Sequence, residues 1–295
     1  MRISILALLA ADLPTTFGIP SQPPISNTTK LPTHFGVLLF PHFQAVDMYG
    51  PMDLINSISM LYANQTSMHV TVLAKTLDPV STAMMPGGFG QSTVPTMTFD
   101  DYFSSRKAED NQTSTESEDC GDGDGSHAVA KRAMRFGARQ MSHDKMPSKS
   151  DPGDIDVLIV PGGGGTRKDM TAEIAFVKKL YPNLQYIFSV CTGASILARA
   201  GVLDGKSATT NKRSFSWVAS TGPNVKWVPT ARWVQDGNVW TTSGINAGID
   251  GAFAWVSHVY GDDVSDYMAK SLEHNRQTDA HNDPFGKIWD VKGAT

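Results

Sequence analysis

Along most of the chain, short unbroken apolar runs take turns with segments in which apolar residues recur every three or four positions. Phe35 to Phe40 (FGVLLF) is a continuous apolar run closed by Pro41, which predicts a strand buried on both faces of a parallel sheet. From Val46 to Tyr62, Met48, Met52, Ile55, Ile58 and Leu61 fall at helical spacing, so a helix follows. His69 to Ala74 predicts a second strand; after a loop holding Pro86, Gly87, Gly88 and Gly90, Met97 to Tyr102 is expected to return toward the sheet. The same rhythm resumes with a strand at Ile155 to Val160 and a helix at Ala172 to Tyr181, with Ile174, Val177 and Leu180 on one face. A further strand, Gln185 to Val190, runs into a helix at Ala194 to Ala200. Strands that alternate with helices build βαβ units, so the fold class is α/β, with a mainly parallel central sheet and helices on both faces. Trp227 to Trp240, with Asp236-Gly237 between alternating segments, predicts a β-hairpin appended to that sheet. Two helices, Ala247 to Tyr260 and Val264 to Asn275, close the domain.

Three stretches break the pattern. Residues 1–33 start with Arg2 and the apolar run Ile3 to Ala10, then turn rich in Pro, Ser and Thr. That composition suits either a short secretory signal or a disordered tail, which leaves a cytoplasmic or a secreted location open. The N-x-[ST] triplets at Asn27, Asn64 and Asn111 are compatible with secretion and decide little. Residues 104–154 carry acidic residues from Glu109 to Asp124 and basic ones from Lys131 to Lys149, with little to bury, as in a disordered surface insert. Residues 286–295 are expected to be a polar tail, which leaves one domain over residues 34–285.

Composition and charge exclude several classes. The chain has 295 residues, 40% hydrophobic, which suffices for a sizeable core. A net charge of -4 gives no electrostatic footprint for nucleic-acid binding, and no apolar run approaches the ~20 residues of a membrane span. Only two cysteines, Cys120 and Cys191, are present, too few for a disulfide scaffold or a multi-cysteine zinc site. The histidines form no metal-binding spacing, and His42 is best read as a surface turn residue.

The chemistry concentrates at a few strand ends. A strand ending in Val190, one residue before Thr192-Gly193 and a helix, is a nucleophile-elbow arrangement that lifts Cys191 to the carboxyl edge of the sheet. The alternative is a buried apolar filler. The following helix's N-terminus is expected to lower the thiol pKa. Cys120, among Glu118, Asp119 and Asp122, lacks such help. Pro161 to Gly165 leaves another strand end beside the elbow, and the bare amides of Gly163 and Gly164 are suited to stabilising developing negative charge. The spacing matches no nucleotide-binding loop. Asp47 follows the first strand and can reach the same edge. It is either a helix N-cap or a buried acid that trades a proton with the thiol or substrate. Phe215, Trp217, Trp233 and Trp240 could line an aromatic pocket, but core or interface packing is the better reading.

Together, FGVLLFPHFQAVDMYGP (35–51), DVLIVPGGGG (156–165), VCTGASILARAGVLDGKSATTNK (190–212) and SGINAGIDGAFAW (243–255) resemble the DJ-1/PfpI superfamily, and within it the isonitrile hydratases and their fungal relatives. The resemblance implies a flavodoxin-like sandwich, commonly a homodimer, with Cys191 as nucleophile, Asp47 as its acid-base partner and Thr192 contacting the reacting group. It also implies the reaction: water adds to an isocyanide through a thioimidate on Cys191, giving an N-substituted formamide. Asp47 would protonate the nitrogen and help activate water, while Thr192, Gly163 and Gly164 position the adduct, with no cofactor or metal. One departure is visible, since many relatives read Thr-Thr-His where this chain has Thr209-Thr210-Asn211. The missing histidine disfavours a Cys-His dyad. Alternatives are a glyoxalase-like enzyme acting on 2-oxoaldehydes, or a non-enzymatic redox-sensing or ligand-binding protein in which Cys191 is oxidised.

Overall fold

The structure, a computed structural model, describes residues 19–27, 30–106 and 153–294. Most of the expected leader and of the charged segment, with Cys120 and Asn111, lies outside the described residues.

The expected alternation is present, with strands β1 (His34–Leu38), β2 (His69–Ala74), β6 (Val157–Val160) and β7 (Tyr186–Ser189). Helices α1 (Ala45–Leu61), α3 (Thr171–Leu180) and α4 (Ala194–Arg199) connect them. All five β1 residues and all four β6 residues are buried, as strands covered on both faces must be. The hairpin is β10 (Trp233–Asp236) and β11 (Val239–Thr242), turning at Gly237 with φ +63°. With β5 (Met97–Thr98), these strands form a seven-stranded sheet in the order β10-β11-β7-β6-β1-β2-β5. Every pairing is parallel except β10 with β11.

Two expectations shift. Trp227 is not in the hairpin; it lies in β9 (Lys226–Trp227), which pairs with β8 (Ser207–Ala208) in a separate two-stranded sheet. Met97 to Tyr102 is strand only through Thr98, because Thr98 Oγ1 accepts the Asp101 N–H at 3.1 Å and starts a helix, α2, over residues 99–106. A small hairpin of β3 (Val80–Ser81) and β4 (Ser92–Thr93) precedes it.

The closing helices are α6 (Ile245–Tyr260) and α7 (Asp262–Ser271). They pack with α1 on one face of the sheet, while α3, α4 and α5 (Phe215–Ser220) cover the other. The segment expected as a tail includes α8 (Phe285–Ile288), with Gly286 and Val291 buried. The described part of the expected leader also makes contacts, since Gln22 Nε2 donates to Leu61 O at 2.7 Å and Ile25 packs on the core.

The chain runs from β1 to β2 on one side and to β6 on the other, so the strand order reverses between β1 and β6. Pairings Val37 with Ile159 and Val160 with Ser189 bring the carboxyl ends of β1, β6 and β7 level. The loops after these strands meet at the crevice where open α/β sheets bind ligands.

Candidate active site

Cys191 follows β7 in a left-handed conformation, φ +58°, which a residue with a side chain adopts only at a cost of order 1–3 kcal/mol. The chain then makes a 3-10 turn, Cys191–Gly193, before α4. The strained residue is pinned on both sides. Its N–H donates to Ser243 O at 2.9 Å, and its carbonyl accepts the Thr210 hydroxyl at 2.7 Å. Gly193 is needed for the crossing, because a Cβ there would lie 2.4 Å from Val160 O and 2.8 Å from Pro161 O.

The glycine loop after β6 crosses directly against the elbow. A Cβ on Gly162 would sit 2.6 Å from Thr192 N and 2.9 Å from Cys191 Cβ. Gly163, φ +133°, bridges to Phe43 and donates its N–H to Thr192 Oγ1 at 2.9 Å. The Thr166 hydroxyl lies 3.1 Å from the same oxygen. Gly164 is one step further out, beside the Met84 thioether.

Asp47 is fully buried. It is not the N-cap of α1, which is Gln44; its own N–H donates to Gln44 O at 3.1 Å. Its Oδ2 accepts the Gly162 N–H at 3.0 Å, while Oδ1 has no hydrogen-bond partner among the described residues. Burial pushes the carboxyl up to about 7, although the Gly162 amide and the neighbouring Cys191 thiol both favour the charged form.

The thiol departs from the expectation of a lowered pKa. Burial and the nearby Asp47 charge push it well above the usual thiol range, and the amide and hydroxyl of Thr192 do not offset them. The α4 dipole is too short a lever against desolvation of a thiol in a residue only 8% exposed. Both shifts favour the protonated form, so the pair resists becoming a thiolate beside a carboxylate.

The structure thus brings Asp47, Cys191, Thr192 and Gly163 together, while Gly164 meets Met84 instead. Sequence reasoning did not single out Gly162, Thr166, Thr210 or Ser243. The glycine's position in the PGGGG run was the one available signal. Trp233, Trp240 and Phe215 are buried packing residues, and Trp217 stacks under Arg167. His42 turns with φ +65° and bonds Ala83 O through Nδ1. Among the described residues no cluster of metal-ligating side chains forms, and no helix is long and apolar enough to cross a membrane.

Residues 126–258 match the DJ-1/PfpI family. The chain is similar to an isonitrile hydratase from Pseudomonas putida, 28% identical over 242 residues that cover 81% of this chain and 77% of that protein. It is also similar to a deglycase from Pyrococcus horikoshii, 31% identical over 110 residues, 37% of this chain and 62% of that protein. In fold it resembles the crystal structure of a ThiJ/PfpI family protein from Pseudomonas syringae, with a TM-score of 0.57 at 23% identity, covering 89% of this chain and 84% of that one. The cysteine elbow and strands β6, β7, β10 and β11 lie within the residues that match this family.

Proposed function

We propose that the protein is a cofactor-independent hydro-lyase that adds water to an isocyanide, R-N≡C, to give the N-substituted formamide. The observation that carries this reading is a fully buried carboxyl, Asp47, beside the buried Cys191 thiol on its elbow, where burial favours the protonated form of both groups. Isocyanides are activated by acid, so a protonated carboxyl matters more here than a thiolate.

Balancing the atoms puts the first proton on the terminal carbon rather than on nitrogen. Asp47 protonates that carbon as sulfur bonds to it, and the S–H proton returns to the carboxylate, leaving the thioimidate R-N=CH-S-Cys191. The carboxylic acid then protonates nitrogen, and the resulting carboxylate takes a proton from the entering water. Collapse breaks the C–S bond, with the hydroxyl proton carried through Asp47 to sulfur. The Thr192 hydroxyl, held by the Gly163 N–H, positions the adduct.

Incubation with cyclohexyl isocyanide should yield N-cyclohexylformamide, and Cys191→Ala should abolish it. No formamide from cyclohexyl or aryl isocyanides with the thiol intact refutes the assignment. The segment shared with the deglycase motivates a second reading, conversion of a 2-oxoaldehyde to a hydroxy acid. It predicts lactate from methylglyoxal in the same assay.

A further inference from the structure

A cavity of about 290 Å³ opens beside the elbow, between the 211–213 turn, the start of α6 and the C-terminal segment. It adjoins Cys191 through the cysteine's own backbone bonds, because Thr210 and Ser243, which hold its carbonyl and N–H, lead directly into the lining residues Asn211 and Gly244.

Its lining has a definite chemical bias. Arg213 is exposed at the rim, lies over the Trp289 ring at 5.5 Å, and has no carboxylate partner among the described residues. Asn211 uses its Oδ1 to accept the Ser214 N–H at 3.1 Å, which leaves Nδ2 as the donor end, beside Gly244. Gly244 starts α6 without a capping side chain, and no acidic residue occupies that helix's first turn. Other cations nearby are already matched, Lys212 by Asp283 at 3.3 Å and Arg232 by Asp250 at 2.6 Å. The unmatched charge is therefore positive. Phe285, Trp289 and Ile245 supply an apolar wall.

That wall is built in. Asp250 also accepts the Gln277 N–H at 3.1 Å and faces His274 Nε2 at 3.0 Å, and Arg232 N donates to Ala280 O. With the buried Lys212–Asp283 pair, these contacts fix the segment beyond residue 272 as one side of the cavity. It lies outside the residues that match the family.

We propose that this cavity is the subsite for the substrate's substituent and selects isocyanides that carry a carboxylate on an apolar or aromatic frame, the acid group bound by Arg213 and Asn211 Nδ2. The inference rests on the hydratase reading for its substrate, but the cavity's preference for an anion can be measured without turnover.

The test has a binding arm and a kinetic arm. Calorimetry on the full-length protein compares N-formylphenylalanine, a product analogue, with its methyl ester; the acid should bind at least ten-fold tighter, Arg213→Gln should erase the difference, and Arg213→Lys should restore part of it. Equal binding of acid and ester, or an acid preference unaffected by Arg213→Gln, overturns the proposal. The kinetic arm compares isocyanoacetate with its methyl ester, and the acid-to-ester ratio of kcat/KM should fall by a similar factor in Arg213→Gln. Hydration of both with a ratio near one sinks the subsite and spares the hydratase. An Arg213-dependent acid preference in binding, with no isocyanide turned over, supports the anion subsite and sinks the hydratase.

Discussion

The Gly162 amide donates to one oxygen of Asp47, Oδ2, at 3.0 Å, and thereby decides where a proton on that carboxyl resides. An oxygen that accepts an N–H is a poor place for the proton, so the acid form carries it on Oδ1, the atom with no partner. In the proposed reaction this is the proton delivered to substrate. Activity should therefore fall as pH rises through about 7, the value to which burial pushes Asp47. Asp47→Asn should lower kcat by about 10²- to 10⁴-fold and erase that limb of the pH profile. A limb that persists in Asp47→Asn assigns the titration elsewhere.

The same shift couples to stability. The unfolded carboxyl loses its proton near 3.8 and the folded one near about 7, so between these values the folded state binds more protons. Stability from this group is full below about pH 4 and declines as pH rises to about 7, by at most about 1.4 kcal/mol per unit. Wild type should lose more in Tm between pH 5 and pH 8 than Asp47→Asn. Thermal melts at both pH values check this, and parallel losses would contradict it.

Gly193→Ala should be damaging, because the new methyl would meet two backbone oxygens, at 2.4 and 2.8 Å, that have no rotamer to change. The expected cost is about 1–3 kcal/mol of stability, with activity lost by about 10²-fold as the elbow shifts. Denaturant unfolding and kcat together test it. A fully active, fully stable variant would mean that the loop crossing is softer than drawn.

Removing one partner of the buried Lys212–Asp283 pair leaves an uncompensated charge. Lys212→Met should cost about 3–5 kcal/mol, while Lys212→Met with Asp283→Leu should recover most of it. Burial already pushes the lysine down to about 8 despite the carboxylate, which marks how costly its charge is there. A double-mutant cycle by urea unfolding measures the coupling.

Much of the frame was readable because buried parallel strands declare themselves as unbroken apolar runs; β2 was placed to the residue, and β1, β6 and β7 within two residues at each end. The meeting of Asp47, Cys191 and the glycine loop followed from strand ends sharing one edge. The thiol's ionisation was not readable, since the dipole that favours a thiolate is local in sequence, whereas the burial that opposes it is assembled from β6, α1 and α6. The cavity was missed for a related reason. Its wall comes from a polar, aperiodic stretch after α7, held by buried pairs between residues more than 18 apart, such as Lys212 with Asp283 and Asp250 with Gln277.

Arg106 and Asp154 stand on either side of residues 107–152 and meet at 3.7 Å, with the Ile155 N–H on the Tyr102 hydroxyl at 3.2 Å. The chain therefore leaves and re-enters the domain at nearly one point, at the end of the sheet opposite the cysteine. A join of that kind holds the two ends together whatever the length of chain between them. It is a natural port for grafting a reporter, at a distance from the chemistry.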